Sequence, residues 1–157
     1  MLQFYFLSIL LNLLCGLSLL YGEDFTPEAL RLHRKSENPV VEKVDKGSVK
    51  SLFKNSRVFS DKSFRLVLGV LSCLTGLMKL LSVIRNDVPV VGDLIPALAG
   101  LIGGSCLLIE YYLMSATVET ALPSWIKKIF IDNRKNIGII CIVAAVLHFI
   151  FPTVLFL

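Results

Sequence analysis

Four stretches of about 20 consecutive, mostly apolar residues constrain this chain more than any other feature of its sequence. They cover residues 2–21, 64–84, 88–113 and 137–157. A helix of about 20 residues spans the hydrocarbon core of a bilayer. The runs lack the alternating polar pattern of a barrel wall, and backbone groups in lipid must be hydrogen-bonded internally. The sequence therefore predicts an all-α integral membrane protein with four transmembrane helices in a single domain, 1–157.

The composition is too apolar for an ordinary soluble domain of this size. Of the 157 residues 55% are hydrophobic, and the mean hydropathy is +0.74. The net charge of +4 comes from 16 Lys and Arg against 12 Asp and Glu, an excess too small to indicate nucleic-acid binding. The basic residues cluster beside the apolar runs, which favours contact with a lipid bilayer and with anionic headgroups at the basic loop 22–63.

The connection between the second and third runs is very short. Residues 85–87, followed by Pro89, leave room only for a tight turn. The spans on either side are therefore expected to form an antiparallel helical hairpin at the centre of the fold. The other two connections are longer, namely the basic polar loop 22–63 and an interfacial loop, 114–136.

Basic residues orient the predicted spans. Fourteen of the 16 Lys and Arg lie in the two longer loops and at their edges, whereas the tight turn holds only Arg85. Cytoplasmic loops carry an excess of Lys and Arg, so both longer loops are expected in the cytoplasm and both termini outside. This orientation suits a bacterial cytoplasmic (inner) membrane.

The first run also has a second interpretation, as a cleaved secretory signal peptide. Glu23 and Asp24 follow it directly, and a signal peptide would need a positive N-terminal region and small residues before the cut. The first requirement is not met, and Leu20 with Gly22 makes a poor cleavage site. A retained span is favoured; cleavage would leave three spans.

Both longer loops are predicted to contain short interfacial amphipathic helices. From Ser48 onwards, Val49 and Phe53 recur with roughly helical spacing among basic residues, which is typical of a helix lying on the membrane surface. A small hairpin through 45–48 is the alternative. In the second loop Trp125 stands beside Lys127 and Lys128, a combination that indicates an anchor at the membrane interface.

Ionisable side chains inside the spans are costly, so their positions carry information. In an antiparallel hairpin, residues at equal depth have a nearly constant sum of residue numbers. That rule predicts two ion pairs, Lys79 with Asp93 near the outer surface and Arg65 with Glu110 near the inner one.

Small residues line the predicted hairpin contact. Gly69 and Gly76 share a face of the second span with Lys79, and Gly100 and Gly104 share a face of the third with Asp93. Such spacing lets helix backbones approach closely. Pro96, on the third span, is expected to loosen the backbone there.

The outer spans carry a weaker version of the same pattern. Asn12 and His148 both fall near the predicted mid-membrane level, so they are expected to meet in the bundle centre. Two roles remain open for the buried polar groups. They either fix helix register as structural pairs, or they form a proton or solute path through Lys79, Asp93 and His148. Exposure to partner proteins is a third possibility.

The four cysteines lie in different runs without a CxxC pair or a zinc spacing. They are interpreted as small packing residues, with a thiolate metal or redox centre as the alternative because all four fall in the inner half of the predicted bundle. The four residues are Cys15, Cys73, Cys106 and Cys141.

Catalytic signatures such as a phosphate-binding glycine loop, a nucleophile elbow or HExxH do not occur. No enzyme activity and no cofactor are predicted. The expected role is that of a non-catalytic accessory or assembly subunit of a membrane complex, in contact with other membrane proteins or with further copies of itself. The alternative is a small oligomeric transporter or channel that uses Lys79, Asp93 and His148.

Overall fold

A computed structural model of the chain describes five parts of the sequence: residues 2–22, 59, 61–81, 93–116 and 122–151. Every regular element within these parts is helical, which confirms the predicted all-α class over the described residues. The elements are α1 (Leu2–Tyr21), α2 (Lys62–Leu81), α3 (Leu94–Ser115), a short interfacial segment and α4 (Arg134–Ile150).

The interfacial segment, residues 124–132, begins after Pro123. Its first turn, Ser124–Ile126, is α-helical, and Lys127–Asp132 continues as a π-helix. A short helix was predicted in this loop, and one is present. The surface helix or hairpin predicted within 22–63 lies outside the described residues.

Within the described residues, three helices are long and apolar enough to cross a membrane: Gln3–Tyr21, Lys62–Leu81 and Leu94–Ser115. Each combines length with a continuous apolar surface, as a span of the hydrocarbon core requires. The described part of α4 is 17 residues long, and residues 152–157 lie outside the described range. The tight turn predicted at 85–87 lies outside the described range as well.

The helices pack as two close pairs. α2 lies mainly against α3, and α1 lies mainly against α4. α1 and α3 contact each other, and each also contacts both of the remaining long helices. These two helices therefore form the centre of the bundle. The paired residues of α2 and α3 run in opposite directions along the chain: Gly69 faces Gly104, and Gly76 faces Ala97. The two helices are therefore antiparallel.

Glycines permit both close pairs. A Cβ atom on Gly104 would lie 2.8 Å from the carbonyl oxygen of Gly69, and one on Gly76 would lie 2.7 Å from that of Ala97. In the other pair, a Cβ atom on Gly16 would lie only 2.6 Å from the carbonyl oxygen of Gly138. Each obstacle is backbone, so a larger residue would force the helices apart.

Three helix starts differ from their predicted positions. α2 begins at Lys62, two residues before the predicted start at 64, and the other two differences affect the site. α3 begins at Leu94, so Asp93 stands directly before the helix instead of within it. Pro96 is then in the first turn, where its missing N–H has no intrahelical acceptor, and the predicted loosening of the backbone is wrong. α4 begins at Arg134, three residues before the predicted start at Ile137, because the helix extends into the polar sequence ahead of the apolar run.

Candidate functional site

Two clusters of ionisable side chains lie at opposite ends of the bundle. The first, called the arginine cluster, consists of Arg65 on α2, Glu110 on α3 and Arg134 at the start of α4. All three side chains are almost completely buried. The Glu110 carboxylate forms ion pairs with both guanidinium groups, Oε2 with Arg65 and Oε1 with Arg134. The predicted partners Arg65 and Glu110 are thus in contact, and Arg134 joins them.

Backbone carbonyls complete the arginine cluster. Arg65 Nε donates a hydrogen bond to the carbonyl oxygen of Phe59 at 2.9 Å. Arg134 Nη2 donates to the carbonyl oxygens of Ser18 at 3.3 Å and Gly22 at 3.1 Å. The last carbonyls of a helix lack intrahelical donors and carry partial negative charge. Arg134 therefore also caps the C-terminal end of α1 and connects it to α3 and α4.

The second cluster, called the lysine–histidine cluster, consists of Lys79, Asp93 and His148. Lys79 Nζ lies 3.2 Å from Asp93 Oδ2 and 2.7 Å from His148 Nε2. His148 Nε2 is also 3.8 Å from Asp93 Oδ1. The side chains of Lys79 and His148 are each 1% exposed, whereas that of Asp93 is 21% exposed. Asp93 is therefore the member of the cluster that reaches the surface of the bundle.

Tyr5 on α1 covers the lysine–histidine cluster. Its hydroxyl donates a hydrogen bond to the carbonyl oxygen of His148 at 2.8 Å, and the two rings lie 4.7 Å apart. A lysine ammonium has donors only, so in its contact with Lys79 a neutral His148 accepts at Nε2 and carries its proton on Nδ1. The arrangement brings together one residue each from α1, α2 and α4 and the residue that directly precedes α3.

A polar layer separates the two clusters. Asn12 Nδ2 donates to the carbonyl oxygen of Pro96 at 2.9 Å, and Ser72 Oγ donates to that of Gly100 at 3.0 Å. Both bonds join neighbouring helices. The crevice between these groups, also lined by Thr75, contains no enclosed space large enough for a water molecule.

The predicted contact between Asn12 and His148 is wrong. Asn12 bonds to Pro96 instead, and His148 lies at the level of Tyr5. The reason is the early start of α4: with Arg134 at one end of the helix, His148 stands only two residues before the other end. Gly100 lies next to Asn12, since a Cβ atom there would be 3.1 Å from Asn12 Oδ1.

Two of the cysteines, Cys15 and Cys141, meet in the bundle interior beside Gly103. A Cβ atom on Gly103 would lie 2.6 Å from Cys141 Sγ and 2.8 Å from Cys15 Sγ. Cys141 donates to the carbonyl oxygen of Ala99 at 3.4 Å, and no cysteine is in a disulfide. Among the residues that the structure describes, no group of three or more His, Cys, Asp or Glu is arranged to hold a metal ion.

The sequence analysis does not identify Arg134 as a buried residue of the site, because it places this arginine in the loop 114–136. A signal for it exists in the sequence. Arg134 precedes Gly138 by four residues and Cys141 by seven, so it continues the inward stripe that runs on to Ala145 and His148. Extending that stripe by one helical turn towards the N-terminus would have placed Arg134 at the level of Glu110. Tyr5 carried no comparable signal.

Comparison with known proteins gives relatives but no activity. A family model matches residues 1–148 of the chain. An uncharacterized protein of Treponema pallidum (strain Nichols) is 37% identical over 97 residues, which cover 62% of this chain and 72% of that protein. No solved structure matches.

Proposed function

We propose a function on the premise that the chain belongs to the family whose model matches residues 1–148, a domain of unknown function. The protein acts as a non-catalytic accessory or assembly subunit of a membrane complex. It crosses a bacterial cytoplasmic membrane four times, with α2 and α3 as a tight hairpin. It contacts other membrane proteins through the apolar helix surfaces that point away from the bundle.

The proposal rests on one observation, namely which partners the buried charged side chains have. Arg65 and Arg134 are both engaged by Glu110, and Lys79 is engaged by Asp93 and His148. These contacts join helices to one another. A buried ion pair fixes the register and the partners of the helices that carry it, even where it adds little net stability. The buried charged groups thus have partners within the bundle itself.

The position of the arginine cluster supports the proposed orientation. Arg65 lies two residues after the Lys- and Arg-rich connection 22–63, and Arg134 lies within the second long connection, 114–136. The lysine–histidine cluster is at the other end, next to the connection 82–92, whose sequence has Arg85 as its one basic residue. The positive-inside rule then puts the arginine cluster on the cytoplasmic side and both termini outside.

The packing of α1 supports its retention as a span. Cys15 and Leu19 are completely buried, and Gly16 lies against Gly138 of α4. A cleaved signal peptide would leave this face of α4 without its partner. It would also remove the carbonyl oxygens that receive the Arg134 guanidinium.

A second function, transport of protons or small solutes, is favoured by one observation. Asp93 is partly exposed while it contacts Lys79 and His148, so a titratable carboxylate connects the surface with a buried imidazole. The crevice beside Asn12 lacks room for water and does not extend such a path towards the arginine cluster. The closed crevice favours the subunit role over transport.

The deciding experiment compares the wild type with Asp93→Asn in two measurements on the same preparation. The first is co-purification of the full chain from mildly solubilised native membranes, with the mass of the complex and the stoichiometry of its components as the readout. The second is proton flux in proteoliposomes that contain the purified chain. We expect Asp93→Asn to reduce the amount of complex and the wild type to show no more flux than empty vesicles.

Asp132→Asn is the matched control, because it removes the same charge from an exposed side chain. It should leave the complex intact. Flux in the wild type that disappears in Asp93→Asn, with an unchanged complex and an unchanged yield of folded protein, would overturn the subunit role and support transport.

A further inference from the structure

The interfacial segment presents a mixed basic and apolar surface at the end of the bundle that holds the arginine cluster. Trp125 is 61% exposed and Ile129 is 48% exposed. They are four residues apart, so they lie close together on the segment. Lys127 and Lys128 between them are exposed as well.

The opposite side of the segment is fixed to the bundle. Ile131 is buried, and Phe130 packs against the apolar core. Cys106 Sγ donates to the carbonyl oxygen of Phe130 at 3.2 Å. Asn133 Nδ2 donates to the carbonyl oxygen of Lys128 at 2.8 Å, which ties the segment to the start of α4. The orientation of its outer surface is therefore set by the fold.

We propose that this surface binds the headgroups of anionic phospholipids in the adjacent leaflet of the membrane. Lys127 and Lys128 contact the phosphate and acidic headgroup oxygens, while Trp125 and Ile129 insert at the boundary between headgroups and acyl chains. Exposed apolar side chains interleaved with lysines are typical of segments that lie in this boundary, and tryptophan concentrates there.

The charge of the surface selects the lipid. Lys127, Lys128 and the exposed Lys135 outnumber Asp132, so the surface is basic and complementary to an anionic leaflet. Its position favours a bilayer over a soluble acidic partner, because the segment leads directly into the apolar helix α4. The proposal depends on this local geometry and not on the subunit role, so either can fail without the other.

Tryptophan fluorescence reports on this surface alone. Trp125 is the only tryptophan in the chain. The full chain is placed in nanodiscs of phosphatidylcholine, and separately in nanodiscs of phosphatidylcholine with phosphatidylglycerol. In the anionic discs we expect emission at shorter wavelength and about two-fold weaker quenching by acrylamide, a neutral quencher, because the lysines draw the segment into the interface. Raising the salt concentration should reduce the difference.

Two double variants with the same change in charge locate the effect. Lys127→Gln/Lys128→Gln should remove the difference between the two lipid compositions. Lys43→Gln/Lys46→Gln, in the basic loop 22–63, should retain it. Helical circular dichroism checks that both variants fold, and the salt titration of the wild type tests the proposal independently of them.

Three results would overturn the proposal. The first is wild-type fluorescence that does not depend on lipid composition. The second is an equal loss in the Lys43→Gln/Lys46→Gln control, which would assign the effect to net charge and not to this surface. The third is a response to lipid composition that salt leaves unchanged, because contact between lysines and headgroups must be screened.

Discussion

The two charge clusters use similar chemistry at opposite ends of the bundle, but they differ in accessibility and in the kind of cation they contain. In the arginine cluster, Glu110 is shared by two guanidinium groups that stay charged at any physiological pH, and all three side chains are buried. In the lysine–histidine cluster, one carboxylate faces a lysine and a histidine, and that carboxylate is partly exposed.

The difference indicates separate roles for the two ends. In the arginine cluster, loss of Glu110 would take a buried ion-pair contact away from both guanidinium groups at once. In a cluster whose carboxylate is partly exposed, water can take the place of a partner that is lost. The arginine cluster therefore holds the bundle closed, whereas the lysine–histidine cluster tolerates change. Three substitutions test this contrast, in decreasing order of expected effect.

Glu110→Gln should have the largest effect. It removes the carboxylate that forms ion pairs with both Arg65 and Arg134 inside the bundle, and removing one partner of a buried ion pair costs about 3–5 kcal/mol. The measurement is the free energy of unfolding in mixed detergent, followed by helical circular dichroism. Asp132→Asn, at an exposed position, is the control. A loss no greater than that of the control would show that the cluster is not sealed.

Asp93→Asn should destabilise the protein less. The substitution removes the charge that faces Lys79, but the site is partly exposed, so water can solvate the ammonium group, and we expect a loss of roughly 1–3 kcal/mol. The same unfolding measurement applies. A loss equal to that of Glu110→Gln would remove the distinction between the two ends.

Asn12→Ala should have the smallest effect. It deletes one hydrogen bond to the Pro96 carbonyl in the polar layer between the clusters, and interhelical hydrogen bonds in membranes are worth about 0.6 kcal/mol on average. Unfolding free energy is again the readout. A loss larger than that of Asp93→Asn would mean that the middle layer, and not the ends, determines how the helices associate.

The two ion pairs of the α2–α3 contact were predictable because the two apolar runs that carry them are separated by only a few residues of sequence. If such runs are antiparallel, residues at equal depth have a nearly constant sum of residue numbers, and the structure does pair Lys79 with Asp93 and Arg65 with Glu110. The spacing of Gly69 and Gly104 carried the same information, and the two backbones approach each other there.

The contacts of α1 and α4 were not predictable in this way. Long stretches of sequence separate these helices from each other and from the α2–α3 pair, so their depth could be inferred only from hydropathy. The apolar run suggested a start at Ile137, but α4 begins at Arg134, since a guanidinium group can enter the bundle where carboxylate and carbonyl oxygens receive it. That displacement explains both the missed Arg134 and the wrong partner assigned to Asn12.

The pairing of α1 with α4 has a consequence for biosynthesis. α2 and α3 are consecutive in the chain, so they can associate as soon as both have left the ribosome. α1 is made earlier still, but its main partner α4, across Gly16 and Gly138, is made after both of them. Until then the face of α1 that carries Gly16 and Leu19 lacks its partner. Closure of the bundle therefore waits for α4.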